Sequence, residues 1–360
     1  MKNQGTDEAT MERLKASFYS LAIGDAIGFI TEVTGFSNMD LRDWKYEKGT
    51  FSDDTQLTLI TAESLDDVGR FDPERFVSLI TRMYRRGEIR GIGLSTRLAV
   101  ESLMDGKRWY ENFYEGRINY VETGANGCAM RILPIGLIND CFDETGKLRL
   151  VEDTLKNSII THGHPRAHIS AILISLCYSY VFRNGNLGEL VDFILDELPD
   201  FQRIEKILPE HWLERWNELA FDKTREYTYM KGGERYGILY EKTSREVKDL
   251  IREMWDEFMN LDQNKIFRKT NATQLKGSGT ATVLSAIFVF LRYPDDFEKS
   301  VISCASNSSI DSDTVASMVG ALYGLENGLT EDIDHYLREM REIEKLDLAI
   351  SKISSILWKE

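Results

Sequence analysis

Apolar residues in this chain recur at intervals of three and four along most of its length, and only six prolines interrupt them in 360 residues. That spacing lines up side chains on one face of a helix, whereas a strand needs alternation, so the chain is restricted to helix-on-helix packing. The first clear case is Met11–Ile30, where Leu14, Phe18, Leu21, Ala22 and Ile27 fall near one face. Further helices are predicted at Gln56–Leu65, Pro73–Arg85, Ser95–Met104, Ala129–Ile138, Val151–Ile160 and Arg166–Phe182. The second half adds Leu187–Leu198, Glu205–Ala220, Ser244–Met259, Gly279–Leu291, Thr314–Gly324, Asp332–Ile343 and Leu346–Leu357. Only Tyr227–Tyr240, rich in tyrosine and glycine, reads as a short β-hairpin. The expected fold is all-α, one compact helical domain over residues 1–360, since no repeat or low-complexity linker divides it.

Residues 184–271 differ in texture, being more charged and carrying Trp212, Trp216, Tyr227, Tyr229, Tyr236 and Tyr240. They read either as an insertion edging a site or contacting a partner protein, or as extra helices packed on the core; the second is preferred.

Charge excludes one class of function. A net charge of -15 does not suit a protein whose main partner is a nucleic-acid backbone, which needs a basic surface. The four cysteines, Cys128, Cys141, Cys177 and Cys304, form no CxxC pair and read as small buried apolar residues of a reduced protein. The polar start MKNQGTDEAT lacks the apolar core of a signal peptide, and stretches such as Ile169–Val181 are too short to span a bilayer. A cytoplasmic protein is expected.

Two oxygen-rich segments stand just ahead of apolar helices. Ser52-Asp53-Asp54-Thr55 supplies adjacent carboxylates flanked by hydroxyls, and Asp311-Ser312-Asp313-Thr314 supplies two more. Capping a helix needs only one such side chain. The surplus suits a hard cation such as Mg²⁺ or Ca²⁺, and four carboxylates brought together would repel strongly unless cations neutralised them. Glu32 ends the apolar stretch that begins at Gly24-Asp25-Ala26-Ile27-Gly28, where an acid needs a partner, a metal or catalytic work. Gly24 and Gly28, one helical turn apart, allow close helix packing.

Small-residue loops precede two other helices. Gly91-Ile92-Gly93 can turn backbone N–H groups toward a phosphate, and Thr123-Gly124-Ala125-Asn126-Gly127-Cys128 is a second such loop; plain turns explain both nearly as well. In Thr161-His162-Gly163-His164-Pro165, a histidine that contacts a ligand is favoured over a zinc pair.

Taken in order, GDAIGFITE, GTFSDDT, GIG, NGCAMRILP, THGHP, GSGTATVLSAIFVFL and DSDTVASMVGALYG resemble the ADP-ribosylglycohydrolase family, over roughly residues 15–182 and 275–325. The resemblance implies a compact all-α fold with two Mg²⁺ ions, or similar hard cations, in a cleft. By motif, Ser52, Asp53, Asp54, Asp311, Asp313 and Thr314 would hold the metal. Glu32 would lie near the metals and the scissile bond. Gly91 and Gly93 would lie near the diphosphate, Asn126 and Gly127 around the ribose, with Thr123 beside them and His162 against the ligand. Some positions depart from the family's pattern: Ser308-Ser309-Ile310 replace a glycine pair before Asp311, and Phe29-Ile30-Thr31 occupy the place of a proline before Glu32. Thr123 falls where some relatives carry an acid or another polar residue.

The expected activity is a Mg-dependent hydrolase that removes ADP-ribose from a modified protein or other acceptor at the ribose anomeric carbon, with Glu32 as general acid/base. The alternatives are a non-catalytic ADP-ribose-binding or structural relative, and an immunity-type protein that reverses and blocks an ADP-ribosylating toxin. The aromatic middle region motivates the last.

Overall fold

The computed structural model describes residues 4–37, 47–221, 233–271 and 277–359. Every regular element among them is helical, and extended pairing is limited to the isolated bridges Leu65–Phe71 and Ala125–Ser278. The chain is all-α in one compact domain, as its periodicity predicts. At the centre lie the helices Pro165–Phe182 and Gly279–Arg292, buried on almost every face, with the more amphipathic helices arranged outside them. None of the described helices is long and apolar enough to cross a membrane.

One helix pair positions the site. The first helix, Gln4–Ser37, runs antiparallel to Ser312–Asn327 along a seam of small residues. A Cβ on Gly324 would meet the Ala16 backbone at 2.4 Å, one on Gly320 the Ser20 carbonyl oxygen at 2.2 Å, and one on Gly24 the Ala316 carbonyl oxygen at 2.4 Å. At the end of the seam a Cβ on Gly28 would lie 2.4 Å from the backbone of Asp313. Hydroxyls stitch the two backbones: Ser20 Oγ donates to the Gly320 carbonyl at 2.5 Å and Ser312 Oγ to the Gly28 carbonyl at 3.2 Å. Because the pair is antiparallel, the C-terminal part of the first helix, with Glu32, meets the N-terminus that carries Asp311 and Asp313.

Gly28→Ala is therefore expected to destabilise the fold by about 3 kcal/mol, at the upper end of overpacking costs, because the added carbon meets backbone that cannot swing aside. Gly116→Ala, on an exposed loop with its nearest neighbour at 3.5 Å, should change stability by less than about 0.5 kcal/mol. Urea unfolding of the two variants compares these costs directly.

The middle region departs from its sequence reading in one respect. The Tyr227–Tyr240 hairpin does not form where it is described: Tyr236–Tyr240 opens the helix Tyr236–Asp256, and residues 227–232 lie outside the described residues. Helical spacing wins because Tyr236, Leu239, Tyr240 and Thr243 all bury on one face. The predicted Glu205–Ala220 helix starts later, as Glu210–Ala220 with Pro209 at its N-cap, and a separate short helix Phe201–Glu205 precedes it, as expected of a proline that lacks an N–H.

The aromatic residues of this region are core. Trp212, Trp216, Tyr236 and Tyr240 are fully buried and are not available as a partner surface, while Tyr227 and Tyr229 lie outside the described residues. Their polar atoms reach back to the THGHP loop. Trp216 Nε1 donates to the Gly163 carbonyl at 2.7 Å, and Trp212 Nε1 to Tyr120 Oη at 2.8 Å, whose own hydroxyl donates to the Ile159 carbonyl at 2.6 Å. Tyr236 Oη lies 2.6 Å from His168 Nδ1, and His168 Nε2 lies 2.8 Å from the His162 carbonyl. The middle helices thus set the backbone path around His162.

Candidate metal centre and ligand cleft

The helix Asp53–Glu63 starts against the first helix. Ser52 is its N-cap: the Ser52 hydroxyl oxygen accepts from the Asp54 N–H at 3.2 Å and its O–H lies 3.3 Å from Asp54 Oδ2. Two further backbone donors at that helix end are taken by Asp25, which is fully buried. Asp25 Oδ1 accepts from the Ser52 N–H at 2.9 Å, and Oδ2 accepts from the Thr55 N–H at 2.9 Å and from Thr55 Oγ1 at 2.5 Å. One acid of the first helix thereby pins the start of the second, and Asp53 and Asp54 are carried into the first helix's seam with Ser312–Asn327. Ser317 completes the link, its Oγ donating to Asp54 Oδ1 at 3.3 Å.

Carboxylates from three elements converge there. Oxygens of Asp25, Asp54 and Asp313 lie within 4.8 Å of one another, and so do those of Glu32, Asp311 and Asp313. Burial, followed by repulsion from Asp25, pushes the Asp53 carboxyl up to about 7. Asp54 is pushed well above its ordinary range by burial and then by Asp25 and Asp53, and Asp313 by burial and then by Asp54 and Asp311. Such a concentration of buried acid is costly without counter-charge. The donor set, all oxygen with hydroxyls beside it, fits a hard divalent cation and not a soft one.

Around the carboxylates is a cleft lined by Glu32, Asp53, Asp54, Gly91, Gly93, Asn126, Gly127, His162, Asp311, Asp313 and Thr314, together with Ser95, Thr96 and Met130. Eleven of the thirteen residues singled out in the sequence therefore meet in one place. Ser52 and Thr123 do not line it. The Ser52 hydroxyl is occupied in the cap described above, and Thr123 Oγ1 lies 2.9 Å from Tyr114 Oη and donates to the Asn119 carbonyl at 3.1 Å.

The loops are tied to the acids. The Gly93 N–H bonds to the Asp53 carboxylate, and Gly91 adopts a left-handed backbone (φ 74°) with its Cα facing Asp53 and the Phe29 ring. Asn126 Nδ2 donates to Asp311 Oδ2 at 2.7 Å and to Thr282 Oγ1 at 3.1 Å, so the second loop braces the DSDT segment. A Cβ on Gly127 would strike the His162 ring, 2.9 Å from Cε1 and 3.2 Å from Nε2; glycine here lets the imidazole reach the cleft. Burial and then the Arg131 charge keep His162 neutral, well below the ordinary histidine range.

Two partners escaped the sequence reading. Asp25 lies inside the GDAIG segment, seven residues before Glu32 and so on the same helical face, and an acid in an apolar stretch is itself a signal. Ser317 reads as an ordinary helix residue, and nothing local marks it.

Comparison with known proteins agrees with this geometry. The profile of the family described as ADP-ribosylglycohydrolase matches residues 6–358. The chain is 25% identical over 325 residues to an uncharacterized protein of Archaeoglobus fulgidus, covering 87% of each. It is 28% identical over 196 residues to the ADP-ribosylarginine hydrolase Tri1 of Serratia proteamaculans, covering 51% of this chain and 50% of that one. To the ADP-ribosylhydrolase ARH3 of Xenopus tropicalis it is 22% identical over 345 residues, covering 89% and 88%. A solved structure described as an ADP-ribosylglycohydrolase-related protein complex superposes with a TM-score of 0.63 at 19% identity, covering 97% of this chain and 99% of that one. The match over nearly the whole sequence, on an all-helical fold with acidic clusters in its cleft, makes this chain a member of the ADP-ribosylglycohydrolase family of ADP-ribosyl hydrolases.

Proposed function

We propose that the chain is a cytoplasmic, Mg-dependent hydrolase that releases ADP-ribose from a modified protein or similar conjugate. The observation that carries this reading is the convergence of Glu32, Asp53, Asp54, Asp311 and Asp313 on one cleft, with acid oxygens close enough to share cations. Four free, buried cysteines suit a reducing compartment.

Asp53, Asp54, Asp311 and Asp313, with the Thr314 hydroxyl, are the residues that would hold two Mg²⁺ ions, while Ser52 positions Asp54 from its cap. Bound there, such ions would neutralise the acids and make a water acidic enough to act near neutral pH. The remaining work belongs to the chain. Glu32, half-buried at the cleft's edge, moves a proton between the attacking water and the leaving group as the C1′ bond to the acceptor breaks and the water oxygen joins C1′. Asn126 holds Asp311 in place while its loop, with Gly127, surrounds the ribose. Gly91 and Gly93 flank the diphosphate, and His162 contacts the ligand.

A panel of peptides with ADP-ribose linked to arginine or to serine, assayed with Mg²⁺ and with EDTA, tests this. Mg-dependent release from the arginine-linked peptide is expected first, because one relative carries the name of an arginine-specific hydrolase. Release unaffected by EDTA, or no release from any linkage, would contradict the proposal.

A further inference from the structure

Arg131, in the NGCAMR segment, is fully buried and yet has no carboxylate partner among the described residues. Its Nε donates to Asn157 Oδ1 at 2.7 Å, and its Nη2 donates to the Asn157 carbonyl at 2.8 Å and to Thr161 Oγ1 at 2.9 Å. Nη1 is buried without a protein acceptor, and the guanidinium packs over the Phe76 ring, 4.9 Å from its centroid. A buried cation satisfied only by neutral groups is an expensive arrangement, and packing alone does not call for it.

The consequence lies one bond further on. Arginine has donors only, so Thr161 Oγ1 must accept from Arg131. The Thr161 proton then needs an acceptor, and the atom in reach is His162 Nδ1 at 2.8 Å. A neutral imidazole that accepts at Nδ1 carries its proton on Nε2. That edge of the ring borders Gly127 in the cleft, and Nε2 has no protein partner among the described residues. Burial lowers Arg131 only to about 10, so it remains a donor at neutral pH.

We propose that Arg131 is a positioning residue: through the Thr161 hydroxyl it fixes His162 as the Nε2–H tautomer, which presents one hydrogen-bond donor to an oxygen of the bound ADP-ribosyl group. The backbone around this relay is held by Trp216 at the Gly163 carbonyl and by His168 at the His162 carbonyl, and turning the ring to exchange its nitrogens would break the Thr161 bond. The proposal rests on the cleft being the ADP-ribose site.

The test is ¹⁵N-histidine NMR of the full-length protein at neutral pH, with the His162 signals among the five histidines assigned by their loss in His162→Gln. The wild type should show Nε2 as a protonated, pyrrole-type nitrogen and Nδ1 as a pyridine-type acceptor. Thr161→Val, nearly isosteric, should let the Nδ1–H form appear and weaken ADP-ribose binding about tenfold, the worth of one such bond; Thr161→Ser should restore both. A wild-type spectrum with Nδ1 protonated overturns the proposal without any variant, and so does a Thr161→Val spectrum identical to the wild type. The spectra need no substrate, so failure to hydrolyse every linkage would overturn the functional reading and not the tautomer.

Discussion

Asp313→Asn is expected to lower ADP-ribose release by about a thousandfold or more and, in the same protein without Mg²⁺, to raise the melting temperature by a few degrees. The first effect follows from losing the carboxylate common to both acid groups of the cleft, where bound cations would supply several kcal/mol of transition-state stabilisation. The second follows from the electrostatics of the empty acids. The Asp313 carboxyl is held well above its ordinary value, first by burial and then by Asp54 and Asp311. A group whose folded value is raised stabilises the fold relative to its ionised state only while it is protonated. Its contribution is complete below the unfolded value of 3.8 and is lost as pH rises toward and through the raised value. Asp53, raised to about 7, behaves alike. The metal-free wild type should therefore lose stability from about pH 4 upward, and Asp313→Asn should lose less. Mg²⁺ should raise the wild-type melting temperature most at about pH 8 and the variant's little. Calorimetric scans across that range, with and without Mg²⁺, measure both. A variant less stable than wild type at high pH without metal would contradict the argument.

Glu32→Gln is expected to reduce turnover roughly 10²–10⁴-fold, the range typical of general acid–base help, with ADP-ribose and Mg²⁺ affinities near those of wild type. The affinities matter because Glu32 also lies within reach of Asp311 and Asp313. If its carboxylate were chiefly a ligand, Gln would weaken Mg²⁺ binding and added Mg²⁺ would restore turnover. If it moves a proton, saturating Mg²⁺ leaves the deficit in place. Turnover close to wild type would remove the acid/base assignment altogether.

Much of this site is legible in the sequence because its acids stand where helices begin. Asp53, Asp54, Asp311 and Asp313 precede apolar runs, and such positions attract oxygen ligands for local reasons that need no knowledge of the fold. Gly24 and Gly28 announce a close helix contact, and the seam with Ser312–Asn327 is that contact. The partners that depend on distant chain segments are not legible. Asp25 looks like a mid-helix acid until Ser52 and Thr55 are seen to donate to it, and Ser317 gains meaning only beside Asp54. The same holds for the aromatic middle region. Trp216 bonds to Gly163 and Tyr236 to His168, pairings that no local pattern encodes, and the tyrosine–glycine texture read as a hairpin belongs in part to a buried helix face. Thr123 shows the converse: its motif is in the right loop, but its hydroxyl turns to Tyr114 and away from the cleft.

The central claim is that the buried carboxylates form a cation site on which the release of ADP-ribose depends. Isothermal titration of Mg²⁺ into the EDTA-stripped wild type and into Asp313→Asn, both in the presence of ADP-ribose, tests it most directly. Saturable binding of two ions per wild-type chain, weakened or lost in the variant in step with activity, is the predicted result. No saturable binding to the wild type, or the same binding in the variant, would contradict it.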